Sequence, residues 1–465
     1  MIRAIRNAWI GWITLTSLII LESLWIYTRN GLEGFQAFMQ ESPFTNIPIT
    51  LASVTIAWGL TGFLLVLILK NRITKANLLT WSGFFLIAFS YVNILRERVR
   101  YGDVEYYIEA AFSIFNHQPL PDTYLYPPLW ATLLSFLTPL GEDGILLACW
   151  VANVLSLFLF YFLLHRILEQ YQFKPQAAAL ITTGFMLVNM PILRTLMYVQ
   201  VNIHVINFVF MAILFYKDRP FLSALMMALA VHFKASPAVL VLAFLLEFNW
   251  KWLAYFAVNM VLVAGFTFIF YGITPYLDFI NNFFLLNAPR TLSLRDNSFD
   301  SAIGVTLAYF RAQPAVVHLL VYLAKGITAL AAMVLSFRMR LFYPEKESGT
   351  RAFNSIIPLF LAMTLFSPLI WEHHGIFITL PFLLLLRKLN SPAEWIWFGA
   401  VYLFVFLVPT FDYFPWSYER LIGMLILLAL TRVTAQRNDS NYFIAFNHWA
   451  EGIFKAGCTM EEKKT

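Results

Sequence analysis

Residues 96–128 read RERVRYGDVEYYIEAAFSIFNHQPLPDTYLYPP, and their contrast with the flanking chain decides the fold. Before them 77–95 is an apolar run, and after them the chain turns apolar again over 126–140 and 145–164. A polar, acidic and aromatic segment set between runs of about 20 residues, each long enough to cross a bilayer, belongs at the mouth of a membrane bundle. Within it the amphipathic piece 104–115 predicts a helix lying along a membrane surface. The run 126–140, YPPLWATLLSFLTPL, predicts a further short helix that dips in without crossing.

Working outward, the same contrast recurs along the chain. Of 465 residues, 60% are hydrophobic and only 12% are charged, with a mean hydropathy of +0.69. That charged share is about half the usual value for a soluble domain. Hydropathy and loop charge predict an all-α polytopic membrane protein of about fourteen helical segments. They are 8–27, 48–69, 77–95, 145–164, 177–194, 200–216, 220–232, 237–248, 252–271, 314–337, 353–368, 375–388, 394–411 and 419–432. A barrel would instead show alternating segments of about 10 residues. The pair 220–232 and 237–248 reads as one hairpin broken at Lys234-Ala235-Ser236-Pro237, because proline lacks a donor and disfavours helix before it. The apolar run after MIRAIRNAW contains Glu22 and no clear cleavage site, so it reads as a retained first span. Cys149 and Cys458 lie far apart, which predicts neither a disulfide framework nor a cysteine metal site.

Basic residues orient this layout. With the N-terminus cytoplasmic, most Lys and Arg residues fall in inner segments, as the positive-inside rule requires. Both termini are then cytoplasmic in a multi-pass plasma-membrane protein, and 96–128 faces outward, as does a second long loop over 272–314. The formal net charge of +6 reflects topology; no basic soluble domain is present to bind nucleic acid. The outer segments hold arginine and no lysine: Arg29, Arg96, Arg98, Arg100, Arg194, Arg290, Arg295, Arg311 and Arg420. Arginine's planar fork suits phosphate, and charge balance against outer acids accounts for the same pattern. The expected organisation is N-terminal spans at 1–76, a catalytic membrane core at 77–390, C-terminal spans at 391–432 and a tail at 433–465 with a surface helix at 442–454.

Four constellations carry candidate chemistry. Asp103, in the outer loop at the start of helix 104–115, suits a general base for a hydroxyl or an N-cap for that helix. Lys234 sits at a helix break inside the membrane, where a lone charge is costly. A lipid phosphate would offset that cost, as would snorkelling or pairing with an acid such as Asp103. Gln200, Asn202 and His204 supply groups for sugar hydroxyls or polar glue between helices. Trp371-Glu372-His373-His374 offers an acid and two imidazoles. Their adjacency lacks the i, i+4 spacing of helical metal ligands, so the reading is substrate or phosphate contact and no metal. No P-loop, GxGxxG or G-x-S-x-G context is present, which argues against an ATP-driven transporter or a serine hydrolase.

Taken in order, four features resemble glycosyltransferase family 87, polyprenyl-phosphate-mannose-dependent mannosyltransferases of the GT-C membrane fold. These are the Asp103 loop running to Tyr126-Pro127-Pro128-Leu129, then Gln200-Val201-Asn202, then His232-Phe233-Lys234-Ala235-Ser236-Pro237, and last Ser367-Pro368 leading to Trp371-Glu372-His373-His374. The resemblance covers roughly 78–390. This chain departs from it in its two extra leading spans and in Val199, where a small residue such as glycine is expected. The resemblance implies a GT-C-like bundle that moves a hexose, mannose, from a polyprenyl-phosphate sugar to a lipid or glycan hydroxyl with inversion. Asp103 would be the base. Lys234, Arg290 and Arg295 would hold the donor phosphate. Tyr126, Gln200, Asn202, His232, Trp371, Glu372, His373 and His374 would line the substrate. No cofactor or metal is implied, since the donor carries its own leaving group. The partners are donor, acceptor and membrane lipids. Alternatives are another lipid-phosphate sugar, a protein acceptor, or a lipid or solute transporter. A transporter predicts paired charges at broken helices and two related halves.

Overall fold

The computed structural model describes residues 75–98, 102–286, 296–341, 348–410, 416–435 and 437–462, with isolated positions between Trp9 and Thr28 and at Gly62. Of the expected spans, 8–27 is described only at scattered helical positions, and 48–69 lies outside the described residues except for Gly62. Arg290 and Arg295 also lie outside them.

In chain order the α-helices are α1 (Lys75–Arg98), α2 (Val104–Phe115), α3 (Leu129–Ser135), α4 (Gly141–Gln170), α5 (Pro175–Leu187), α6 (Met190–Met197), α7 (Asn202–Phe215), α8 (Pro220–Phe233) and α9 (Val241–Leu246). They continue with α10 (Trp250–Tyr271), α11 (Thr274–Leu286), α12 (Phe299–Tyr309), α13 (Pro314–Leu341), α14 (Ser348–Leu365), α15 (Thr379–Leu385), α16 (Pro392–Val401), α17 (Glu419–Thr434) and α18 (Asn441–Glu462). Tighter 3-10 turns join several of them, notably Ser236–Leu240 and Glu372–Ile378. Among the described residues every regular element is helical.

Helix occupies each apolar run expected from 77–95 onward. Among the described residues, three stretches are long and apolar enough to cross a membrane: Thr138–Gln170, Trp250–Tyr271 and Pro314–Met339. A fourth candidate arises if Pro175–Leu187 and Met190–Met197 count as one span. Most of the others are shorter, because the chain breaks them at polar, proline or glycine positions; α1 (24 residues) and α18 (22 residues) are long, the latter without being apolar enough to count. The number near fourteen is therefore one of helical segments rather than of membrane-length spans. The local signals are explicit. Asn189 caps α6 by accepting the Ile192 N–H at 2.9 Å, with Pro191 in the first turn. Asn249 does the same for α10 through Trp252 at 3.1 Å. Each spares a terminal N–H from burial without a partner. Gly272, at φ +70°, ends α10 in a backbone that favours glycine.

The expected long loop over 272–314 is largely helical, holding α11 and α12. One reason is that α11 has polar partners to satisfy: its Asp278 accepts the Leu120 N–H at 3.0 Å, and its Asn282 donates to the carbonyls of Pro121 and Tyr124 at 2.8 and 3.2 Å. Helix thus props the 120–124 loop from below.

The chain divides into two compact units. One comprises 1–99, 173–187 and 447–465; there α1 packs on α5, and the Tyr91 hydroxyl donates to the Met186 carbonyl at 2.7 Å. The other comprises 100–172 and 188–446 and holds the described candidate site residues. In it α7 packs against α4 and α8, α8 against α10, and α13 against α14.

Candidate active site

The polar centre is built where helices break. Between α6 and α7 the chain reverses through Val199, whose φ of 52° is left-handed. That conformation costs a β-branched residue about 1–2 kcal/mol, which explains in backbone terms why glycine is expected there. The Gln200 N–H then donates to the Thr195 carbonyl at 2.8 Å. Gln200 and Asn202 are both fully buried by this turn.

Gln200 is the anchor of a tyrosine cluster. Its Oε1 accepts from the hydroxyls of Tyr107 (3.0 Å) and Tyr126 (3.4 Å). The Tyr107, Tyr124 and Tyr126 rings contact one another at centroid distances of 5.3–6.4 Å. Burial above all holds the Tyr107 and Tyr126 phenols protonated, and the nearby Asp103 charge adds to it. They therefore serve as donors, fixing the amide's orientation.

Lys234 follows the end of α8 in an extended conformation, and Pro237 starts the next turn. Its Nζ donates to Asn202 Oδ1 at 2.9 Å and lies 2.8 Å from His374 Nε2. The rings of Tyr126 and Phe377 flank it at 5.6 and 5.7 Å, within cation–π range. His374 is oriented from its other side, where the Trp371 N–H donates to Nδ1 at 2.9 Å.

Asp103 stands beside this cluster. Its backbone is helical (φ −63°, ψ −16°), and its side chain makes no capping hydrogen bond to α2. The N-cap reading is thereby corrected: the aspartate precedes the helix without capping it. Burial raises its pKa to about 6, and a charge on Lys234 acts the other way. Gly102 lets the Tyr198 ring pack against this turn; a Cβ there would lie 2.8 Å from Tyr198 Cδ1.

Glu372 is differently employed. Arg194 donates to its Oε2 at 2.5 Å, Arg420 lies 3.5 Å from Oε1, and the Thr410 N–H also bonds that oxygen. Arg420, 1% exposed, further holds Glu419 and the Val408 carbonyl. For Arg194 and Arg420 the charge-balance reading of the outer arginines holds, since both face a carboxylate. A second tie is Asp296, whose carboxylate accepts from the N–H groups of Ile370 (2.7 Å) and Ser298 (3.0 Å). Asn297 N–H returns a bond to the Ile370 carbonyl at 2.8 Å. The 370–374 turn, which carries both histidines, is thus clamped from two directions.

Asp103, Tyr126, Gln200, Asn202, Lys234, His373 and His374 are brought into one neighbourhood, with Trp371 and Glu372 holding its rim through backbone and ion-pair contacts. His232 is spent on the Met260 carbonyl of α10 at 3.1 Å, a tie between helices. Sequence reasoning passes over Tyr107, Tyr124 and Phe377. The only signal for the two tyrosines is their density in 106–126, because ring contacts across a fold leave no spacing rule.

The architecture is that of a helical protein with membrane-length helices and a polar centre at helix breaks. Residues 124–368 match the model of glycosyltransferase family 87, more than half of the chain, and the chain belongs to that family. No curated protein matches it. The matched residues include Tyr126, Gln200, Asn202, His232 and Lys234, begin after Asp103 and end before Trp371.

Proposed function

We propose that the protein is a polytopic, GT-C-like membrane enzyme that transfers a hexose, mannose, from a polyprenyl-phosphate sugar to a hydroxyl of a lipid or glycan. The reaction runs on the extracytoplasmic face of the plasma membrane, with both termini cytoplasmic. The observation that carries this reading is the meeting of an uncapped carboxylate, Asp103, with Lys234, close enough for each charge to influence the other.

Asp103 takes the proton of the acceptor hydroxyl as that oxygen attacks the anomeric carbon. The bond from that carbon to the phosphate oxygen breaks on the opposite face, so the configuration inverts. Lys234 meets the charge that gathers on the leaving phosphate, a contribution worth several kcal/mol in a dry site. Arg290 and Arg295 assist there. Asn202, His373 and His374 surround the same group, and Tyr126 with Gln200 bounds the sugar. Glu372 acts through others as a positioning residue, holding the histidine turn between Arg194 and Arg420.

Transfer of radiolabelled mannose by purified protein in detergent tests this. Asp103→Asn should lower turnover by about 10²–10⁴-fold while leaving donor binding intact. Wild-type turnover in that variant overturns the assignment of the base.

A further inference from the structure

The hydrogen bonds around Lys234 cannot all be satisfied if it is an ammonium. His374 Nδ1 accepts the backbone N–H of Trp371, so its lone pair is committed. A neutral imidazole then carries its one proton on Nε2. That N–H points at Lys234 Nζ, 2.8 Å away. An ammonium has three donors and no acceptor, and two donors cannot share a hydrogen bond. An imidazolium fares no better, since it faces Nζ with the same N–H and sets a second N–H against Trp371. A free amine does fit: its lone pair accepts from Nε2–H, one of its hydrogens bonds Asn202 Oδ1, and the other faces the aromatic rings.

We propose that Lys234 is a neutral amine in the substrate-free site, kept so by His374, and that entry of a phosphodiester draws one proton onto it. The inference rests on the reading of Lys234 as the donor-phosphate residue. The proton comes from solvent and adds to Nζ; no bond to carbon or phosphorus changes. The new ammonium no longer accepts from His374, whose Nε2–H turns to a phosphate oxygen. Lysine and histidine then grip the phosphate together, and the charge arrives only with the ligand. The other titratable groups facing Nζ are Asp103 of the loop before α2, Tyr126 of the 120–128 loop, and His373 beside His374.

The test is calorimetric. A short-chain prenyl methyl phosphodiester, which carries the charge of the donor and no sugar, is titrated into the full-length protein in detergent. Buffers of differing ionisation enthalpy are used near pH 8, above the second ionisation of about 6 for a phosphomonoester contaminant. The dependence of the observed heat on buffer enthalpy counts protons taken up. About one proton per site is expected. Lys234→Arg, whose guanidinium stays protonated, should bind the probe with no uptake, and His374→Phe, which frees the amine to protonate beforehand, should reduce uptake toward zero. Binding by the wild type without uptake overturns the neutral-amine inference and leaves the proposed function standing. A wild type that does not bind, or Lys234→Ala binding as tightly as wild type, overturns the phosphate role of Lys234 itself.

Discussion

Asp103, the proposed base, is a carboxylate shaped by burial. Its pKa of about 6, against an ordinary 3.8, follows chiefly from desolvation, which a charge on Lys234 would oppose. A general base works best when its pKa nears the operating pH, because a more basic carboxylate pulls a proton harder. The rate of transfer at low substrate should therefore rise with pH through about 6 and level above it. A profile already flat from pH 4.5 would place the working carboxylate elsewhere. The sequence marks Asp103 out through its setting, an acid in an aromatic loop between apolar runs. It leaves open whether the residue caps or reacts, because that depends on where one carboxylate points. The missing cap bond removes the first of these readings, and the second belongs to the proposed mechanism. For Glu372 the outcome is the reverse. Its neighbours in sequence suggest substrate contact, while its partners, Arg194 and Arg420, lie at separations no local pattern encodes.

Among the elements, breaks matter more than the helices they interrupt. The Lys234–Pro237 break is legible because proline writes its own rule. The α6–α7 break is not, since it turns on Val199, a residue that ordinarily favours strand. Its left-handed backbone is imposed by burial of the turn on both sides. Replacing Val199 with glycine should thus cost little: the relief of about 1–2 kcal/mol in the backbone offsets most of the roughly 1.5–3 kcal/mol of lost apolar burial. Thermal unfolding in detergent should place Val199→Gly within about 1 kcal/mol of the wild type, whereas a loss of 3 kcal/mol or more would mean the turn is held without strain. The helices inside 272–314 are missed for a different reason. The first of them, α11, bonds a loop some 160 positions earlier, and hydropathy sees only neighbours.

At the scale of the whole molecule, the unit formed by 100–172 and 188–446 contains carboxylates shifted both ways. Burial raises Asp103 and Asp296 to about 6 each. Such groups bind a proton more tightly when folded, so the stability they add is full below 3.8 and lost as pH rises through 6. Asp439 behaves oppositely: burial pushes it up, but Arg387 and Lys388 outweigh that and hold it low. Its contribution is present above the unfolded value and vanishes as pH falls through the depressed one. Relative to the wild type, Asp296→Asn should remove part of the fall in melting temperature between about pH 4 and 6; parallel profiles for the two proteins across that range would contradict the raised carboxyl of Asp296. Composition announces a helical membrane protein at this scale, and the family match over 124–368 is to the family that the motifs resemble. How far each helix reaches is less visible, since an apolar run says nothing of the bend that ends it. The prop beneath the tyrosine loop has one more consequence, for anyone recombining members of this family. Asp278 and Asn282 bond the backbone of residues 120–124 rather than particular side chains, so this prop fixes the loop's path and makes no demand on its side chains. The natural unit of exchange between relatives is then a pair of distant segments, 102–128 together with 274–286, and a graft of the first alone would inherit a foreign scaffold.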